Sequence, residues 1–430
     1  MKFFLTPILI IILFVCTPPH SAVAANKLPL RVQMVLVKIS PLFEKGQYEE
    51  AIVILNTFKK KKKGAENKIH DHAEINFALG NCHMLLGELE KARNYYSDTV
   101  IRNQQHLSGW QNLAKTEYEL ENYIPASAAF HTSYDLTDKK DANLLYYCAV
   151  NLLMAQQYME CLNHFDTLLQ QHPDAITLAW KENLIYALIQ ADKPKKALKY
   201  IVELADKFEG DKQQRWQEIL LQQYMAMDML KEAVDLVQIL TRKAPTNPTW
   251  WKALTHIKLQ QDHYDKALAA LTIYSYLSPM KPDEEKLLGD LYLQQGIPQK
   301  AVIKYENYNK QEKNPQTVEA LVRAYLSLGQ PELALKKLET FKANLKPQKC
   351  AMLQGEIYYV QKEFKQAAFH YKNAAKIKGD DAPRALLMTA YCYWQQGNSK
   401  DALESFYKAA KTKQFKKEAD SAIKVLEKSI

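Results

Sequence analysis

The densest potential for chemistry in this sequence lies in three adjacent residues, His70, Asp71 and His72. Imidazole nitrogens and carboxylate oxygens bind divalent metals and carry protons. A metal site also needs further ligands at fixed spacing, and none accompanies these three. They stand at the approach to an apolar-periodic segment, where polar side chains serve the first free N–H groups of a helix. That start-of-helix role is the leading reading, and a metal or catalytic role for His70 and His72 is the alternative. The sequence has no Gly-rich phosphate loop, zinc-type Cys pairing or nucleophile elbow. The remaining His residues are scattered, and the carboxylates are spread like ordinary helix-surface charge. The expectation is a protein that is not an enzyme and carries no cofactor or metal. Two thiols could do redox chemistry. Cys148 and Cys161 fall on opposing helical segments near their crossing, so a disulfide is one reading and small buried packing residues the other.

The elements that position these residues follow from a repeat. A small residue returns at Ala51, Ala92, Ala126, Cys161, Ala197, Ala233, Ala267, Ala301, Ala334, Ala367 and Ala402. After a first gap of 41 the spacings run from 33 to 36. A period of this size means stacked repeats instead of one globular core. Four residues after the marker stand Tyr96, Phe130, Phe165, Tyr305, Tyr371 or Phe406, on the same helical face. A second apolar stripe precedes each marker, as in Trp110, Leu113 and Ala114. Five residues before it lie Gly46, Gly87, Gly296, Gly329 and Gly397, or Asp192, Asp228 and Asp262. Gly tolerates the left-handed backbone that ends a helix, and Asp does so better than most. Pro194, Pro298 and Pro331 sit where a second helix begins. Each unit therefore reads as helix, tight turn, helix, with the marker small because two helices cross closely there.

This pattern resembles the tetratricopeptide repeat (TPR). The stretch Gly296 to Tyr305 carries Gly-x-x-x-x-Ala-x-x-x-Tyr, and Trp110 to Ala114 carries Trp-x-x-Leu-Ala. The resemblance covers roughly residues 32 to 410, with Cys161 in a marker slot and Lys362 in a turn slot as departures. It implies an all-α fold: a right-handed α-solenoid of about eleven units. Ala419, Ala422, Ile423 and Leu426 predict a C-terminal capping helix. The expected organisation is a signal peptide over 1–25, a first TPR-like unit with a Lys-rich loop over 26–63, an array over 64–411 and the cap over 412–430.

Export is expected from the N-terminus. Lys2 precedes an apolar run from Phe3 to Cys16, and Ser21 to Ala25 supplies the small residues of a cleavage site. The run is too short for a comfortable membrane span, so no span is expected after cleavage, and the location is periplasmic. Retention of the run as an anchor is the alternative. The chain carries a net charge of +9. In an exported protein this argues for anionic envelope polymers or lipid surfaces and against nucleic acid. Lys59 to Lys63 is the sharpest basic run, read as a solvated loop or a polyanion contact.

In TPR arrays the first helices line a concave, commonly peptide-binding face. The resemblance places Phe77, Asn81 and Met84 there, then Tyr146, Val150, Leu153 and Met154, then Arg384, Leu387, Tyr391 and Trp394. The middle units put polar residues in the same slots, including Lys252, Lys286, Asp290, Glu319 and Arg323. Aromatic and Met side chains of this kind suit a bound helix or extended peptide. The alternative is that the array curls and buries them. The implied partner is an envelope protein, and an anionic polysaccharide or peptidoglycan is the second candidate. Arg215-Trp216, Trp251, Ala269-Ala270-Leu271, Tyr274, Ile297-Pro298 and Cys392 are similar to envelope TPR proteins associated with TonB–ExbB–ExbD systems. That similarity implies a periplasmic accessory of a transport complex.

Overall fold

The computed structural model describes residues 28–61, 67–311 and 314–428. The signal-peptide segment 1–25 and the end of the Lys-rich run lie outside them. Among the described residues every regular element is helical. The order is α1 (Leu30–Glu44), α2 (Tyr48–Lys60), the short α3 (Asn67–His70), α4 (Ala73–Leu85), α5 (Leu89–Arg102), α6 (Leu107–Glu119), α7 (Tyr123–Leu136) and α8 (Ala142–Met154). Then come α9 (Tyr158–Gln171), α10 (Leu178–Gln190), α11 (Pro194–Lys207), α12 (Gly210–Ala226), α13 (Leu230–Lys243), α14 (Pro248–Gln260), α15 (Tyr264–Leu277) and α16 (Pro282–Gln294). The remainder are α17 (Pro298–Gln311), α18 (Pro315–Ser327), α19 (Pro331–Phe341), α20 (Pro347–Val360), α21 (Phe364–Lys376), α22 (Ala382–Gln395), α23 (Ser399–Ala410) and α24 (Lys416–Glu427). With α3 set aside these make eleven helix pairs and a final helix. The chain separates into two compact units between Gln223 and Tyr224.

The turn inside each pair has one geometry. The residue five before the marker takes a positive φ in all eleven pairs, from Gly46 at 70° to Gly397 at 74°. Five of these residues are Gly and three are Asp; the others are Glu121, Gln156 and Lys362. The next N–H reaches back to the carbonyl five residues earlier, as in Gln47 to Leu42, Gln157 to Leu152 and Glu363 to Tyr358. That bond supplies an orphan carbonyl at the helix end and reverses the chain in a Schellman motif.

Packing inside a pair explains the marker. All eleven marker residues have no exposed surface. The side chain four residues on is also buried, and where it is Tyr a glycine faces it. A methyl group on Gly80 would stand 2.6 Å from the Tyr96 ring, one on Gly289 2.7 Å from Tyr305, and one on Gly355 2.6 Å from Tyr371. The equivalent first-helix position is Ala114, Ala149 or Ala390 where the ring is Phe130, Phe165 or Phe406. It is Ile185 or Val322 where the ring gives way to Ile201 or Leu338. Size on one helix is matched by space on the other, as close packing requires.

The final helix closes the second unit. Ala419, Ala422, Ile423 and Leu426 of α24 join Leu387, Ala390, Ala402 and Phe406 in one buried cluster. Without α24 these apolar side chains would face water.

Candidate interaction surface

The first helices are the expected binding face, and the structure corrects much of that expectation. In the first unit Phe77, Asn81, Tyr146, Val150 and Leu153 are all buried. Tyr146 lies flat against Trp180 of the next pair, ring centroids 4.1 Å apart and planes within 6°. Its hydroxyl accepts a hydrogen bond from Asn183 at 2.8 Å. Phe77 is covered by the His106 ring at 4.7 Å. Asn81 accepts from Tyr96 at 2.8 Å and from Asn112 at 3.0 Å. The physical reason is common to them: the first helix of the following pair packs on this face, so apolar residues here are inter-repeat core. Met84 and Met154 remain half-buried.

In the second unit the same face carries charge. Lys252 of α14 pairs with Glu284 of α16, which also accepts from Tyr274 at 3.1 Å. Within α16, Lys286 meets Asp290 at 2.7 Å, and Tyr305 donates to Asp290 at 2.8 Å. Arg323 of α18 pairs with Glu319 at 2.8 Å and lies 3.6 Å from Glu356 of α20. Arg384 of α22 meets Glu356 at 3.1 Å. Lys349 bridges Glu319 at 3.2 Å and Asp381 at 3.4 Å. The signs alternate across three successive first helices. This run neutralises itself, and its partly exposed pairs contribute modestly to stability.

The predicted residues of α22 divide. Leu387 is buried in the cluster below α24, which corrects its placement on the surface. Arg384 is exposed and belongs to the ion-pair run. Tyr391 and Trp394 are half-buried and line an open cleft of about 520 Å³ between α22 and α24. Their rings are within 12° of parallel, with centroids 6.3 Å apart. Both stand nearly perpendicular to buried Phe406. The opposite wall is Gln414, Lys417, Glu418, Ser421 and Val425. Tyr391 donates to Glu418 at 3.1 Å. Burial and that carboxylate push its phenol up to about 12. Sequence reasoning missed the α24 wall. Its signal was the spacing of 417, 418, 421 and 425, a helical face beside the apolar stripe.

The other chemical candidates have structural partners. Asp71 accepts from Arg102 at 2.7 Å. The His72 ring accepts from the Glu74 N–H at the start of α4, and His70 is buried with its ring 4.6 Å from Phe58. No group of three metal-capable side chains gathers among the described residues. Of the two readings for Cys148 and Cys161, the structure has the packing one: both are buried free thiols. The Cys148 thiol instead donates to the Leu144 carbonyl on its own helix at 3.2 Å. Burial drives both thiols far above their usual range, which leaves them protonated and inert. Of the residues on which a TonB-type association was expected, Trp216, Tyr274 and Cys392 are all buried packing residues.

A family model described as tetratricopeptide repeat matches residues 352–419, from within α20 to the first turn of α24. No curated protein matches the chain in sequence. Among solved structures, the crystal structure of MamA protein is similar at 19% identity and TM-score 0.35, covering 40% of this chain and 94% of that one. The APC/C hetero-tetramer Cut9–Hcn1 is similar at 12% identity and TM-score 0.34, covering 92% and 90%. A tetratricopeptide repeat protein from Parabacteroides merdae ATCC 43184 is similar at 13% identity and TM-score 0.32, covering 69% and 99%. The fold defines the class as an α-solenoid of helix-turn-helix repeats. The turn and the buried marker recur in all eleven pairs, and over residues 352–419 the chain matches the tetratricopeptide-repeat family. Solenoids of this class present extended surfaces to protein partners.

Proposed function

We propose that this protein is an exported scaffold that holds a second envelope protein, with a segment of that partner seated in the cleft between α22 and α24. The carrying observation is that Tyr391 and Trp394 stay partly open where Val150 and Leu153, in the same slots of α8, are packed shut. An apolar side chain of the partner would lie against the two rings, with Lys417 and Glu418 on the rim to set its orientation. The basic start, apolar run and small residues over 1–25 support export. No helix among the described residues is long and apolar enough to cross a membrane. The similarity of residues 215 to 392 to TonB-associated TPR proteins supports a transport-complex component as the partner. A photo-crosslinker at Ser421 in the native host tests this. A discrete protein adduct is expected, weakened tenfold or more by Trp394→Ala, while a probe at buried Tyr146 gives none. No protein adduct at Ser421 would overturn the reading.

A second reading is favoured by the near-parallel rings set beside a hydroxyl, an amide and charged groups. That combination also suits a sugar ring, and it makes an anionic polysaccharide or peptidoglycan the ligand. Retention on purified peptidoglycan that Trp394→Ala abolishes would support it. Equal loss of both proteins in the wash would remove it.

A further inference from the structure

The first helix has two apolar faces, and the fold uses one. Val32, Leu36 and Ile39 point inward, buried against α2 and α4 in the first core cluster. On the opposite side Leu30, Met34 and Val37 are 71%, 64% and 59% exposed. These residues fall at i, i+4 and i+7, so they form one line along the helix, continued by exposed Pro41. A second exposed line runs beside it through Arg31, Lys38 and Lys45. Its members are seven residues apart, about 10 Å along the axis. An apolar line bordered by a basic line is the pattern of a helix lying in a membrane interface.

The charges of the hairpin are also sorted by end. α1 and α2 run antiparallel through the Gly46 turn. Exposed Lys60 and Lys61 therefore lie with Arg31 at the Leu30 end, while Glu44, Glu49 and Glu50 outnumber Lys45 at the turn. The basic end would meet an anionic surface first. Three side chains fall well short of the roughly 800 Å² per partner that a stable protein interface buries, whereas shallow insertion beside cations is what an interfacial helix requires.

We propose that the outer face of α1 rests on an anionic lipid surface, with Leu30, Met34 and Val37 entering the acyl boundary and Lys38 and Lys45 meeting the headgroups. This inference stands on the first hairpin and is independent of the cleft at α22. Co-sedimentation of the full chain with phosphatidylglycerol-containing vesicles and with pure phosphatidylcholine vesicles tests it, alongside the pairs Met34→Glu/Val37→Glu and Lys38→Glu/Lys45→Glu. Both pairs alter exposed positions, and unchanged melting would show that they fold. Binding to the anionic vesicles is expected, weakened roughly tenfold or more by either pair. No binding would overturn the proposal, as would binding that neither pair changes, which would place the contact elsewhere on the chain. Concentration-dependent dimers that Met34→Glu/Val37→Glu dissolves, without lipid binding, would assign the face to a second copy instead.

Discussion

At the scale of single residues, the pairing of Tyr with Gly shows how each unit is tuned. The Tyr96 hydroxyl is tied to Asn81 and the Tyr305 hydroxyl to Asp290. Each ring lies across the first helix where only Gly leaves room, and Tyr371 lies over Gly355 in the same way without such a bond. Where the ring is Phe, lacking the hydroxyl, the equivalent first-helix residue is Ala. Gly80→Ala should therefore destabilise by about 1–3 kcal/mol through overpacking, despite the better helix propensity of Ala. Adding Tyr96→Phe should recover part of that loss. Denaturant melts of the two single variants and the double variant would measure the coupling. The turn slots make a second prediction. Lys362, at a φ of 62°, holds a conformation that costs a side-chain-bearing residue roughly 1–2 kcal/mol. After the entropy that Gly loses on folding, Lys362→Gly should still gain about 0.5–1 kcal/mol, visible as a higher Tm. Much of this scale was legible in the sequence, because marker, turn Gly and ring lie within one unit. Glu121 and Gln156 were not legible as turn residues. Neither favours a left-handed backbone, and it is the helix period on either side that forces them into it.

At the scale of elements, the seam between α7 and α9 should lose stability in acid. His131 and His164 face each other with ring centroids 5.4 Å apart, and His131 lies 3.4 Å from Asp135. Tyr134, Asn163, Thr167 and Gln171 complete a cleft of about 310 Å³ around them. Burial, reinforced by His131, lowers the His164 imidazole to about 4. In the unfolded chain it takes up its proton near 6.5. Between these values the unfolded state holds more protons, so stability is complete above pH 6.5 and falls as the pH drops toward 4. Melting across that range should show the decline, and His164→Gln should flatten it. A slope unchanged in the variant would remove His164 as its source. The sequence shows both histidines but not their meeting. Their contact depends on how two second helices from neighbouring units align.

At the scale of the whole molecule, repeat proteins hold themselves together by nearest-neighbour contacts. The strain from Gly80→Ala should stay near its own pair. Hydrogen exchange is expected to lose protection over α4 to α7 and to keep it over α18 to α24. Uniform loss across the chain would contradict a locally stabilised array. The basic charge is also unevenly deployed. The first helices of the second unit cancel theirs in alternating pairs, whereas Lys38, Lys45, Lys60 and Lys61 stand exposed on the first hairpin.

The sequence by itself determined the unit: its helices, its turns, its buried marker and the closing helix. Each of these rests on contacts a few residues apart or within one hairpin, where spacing along the chain translates directly into spacing in space. The tertiary structure decided which first-helix residues are surface. Val150 and Tyr391 occupy the same slot, eleven residues before the marker of their pairs. One is buried and the other opens onto a cleft. The difference is the neighbour: Val150 is followed by the first helix of another repeat, and Tyr391 by α24. How far one repeat turns against the next sets what is covered. No periodicity within a repeat carries that angle, because it comes from side chains meeting across the seam.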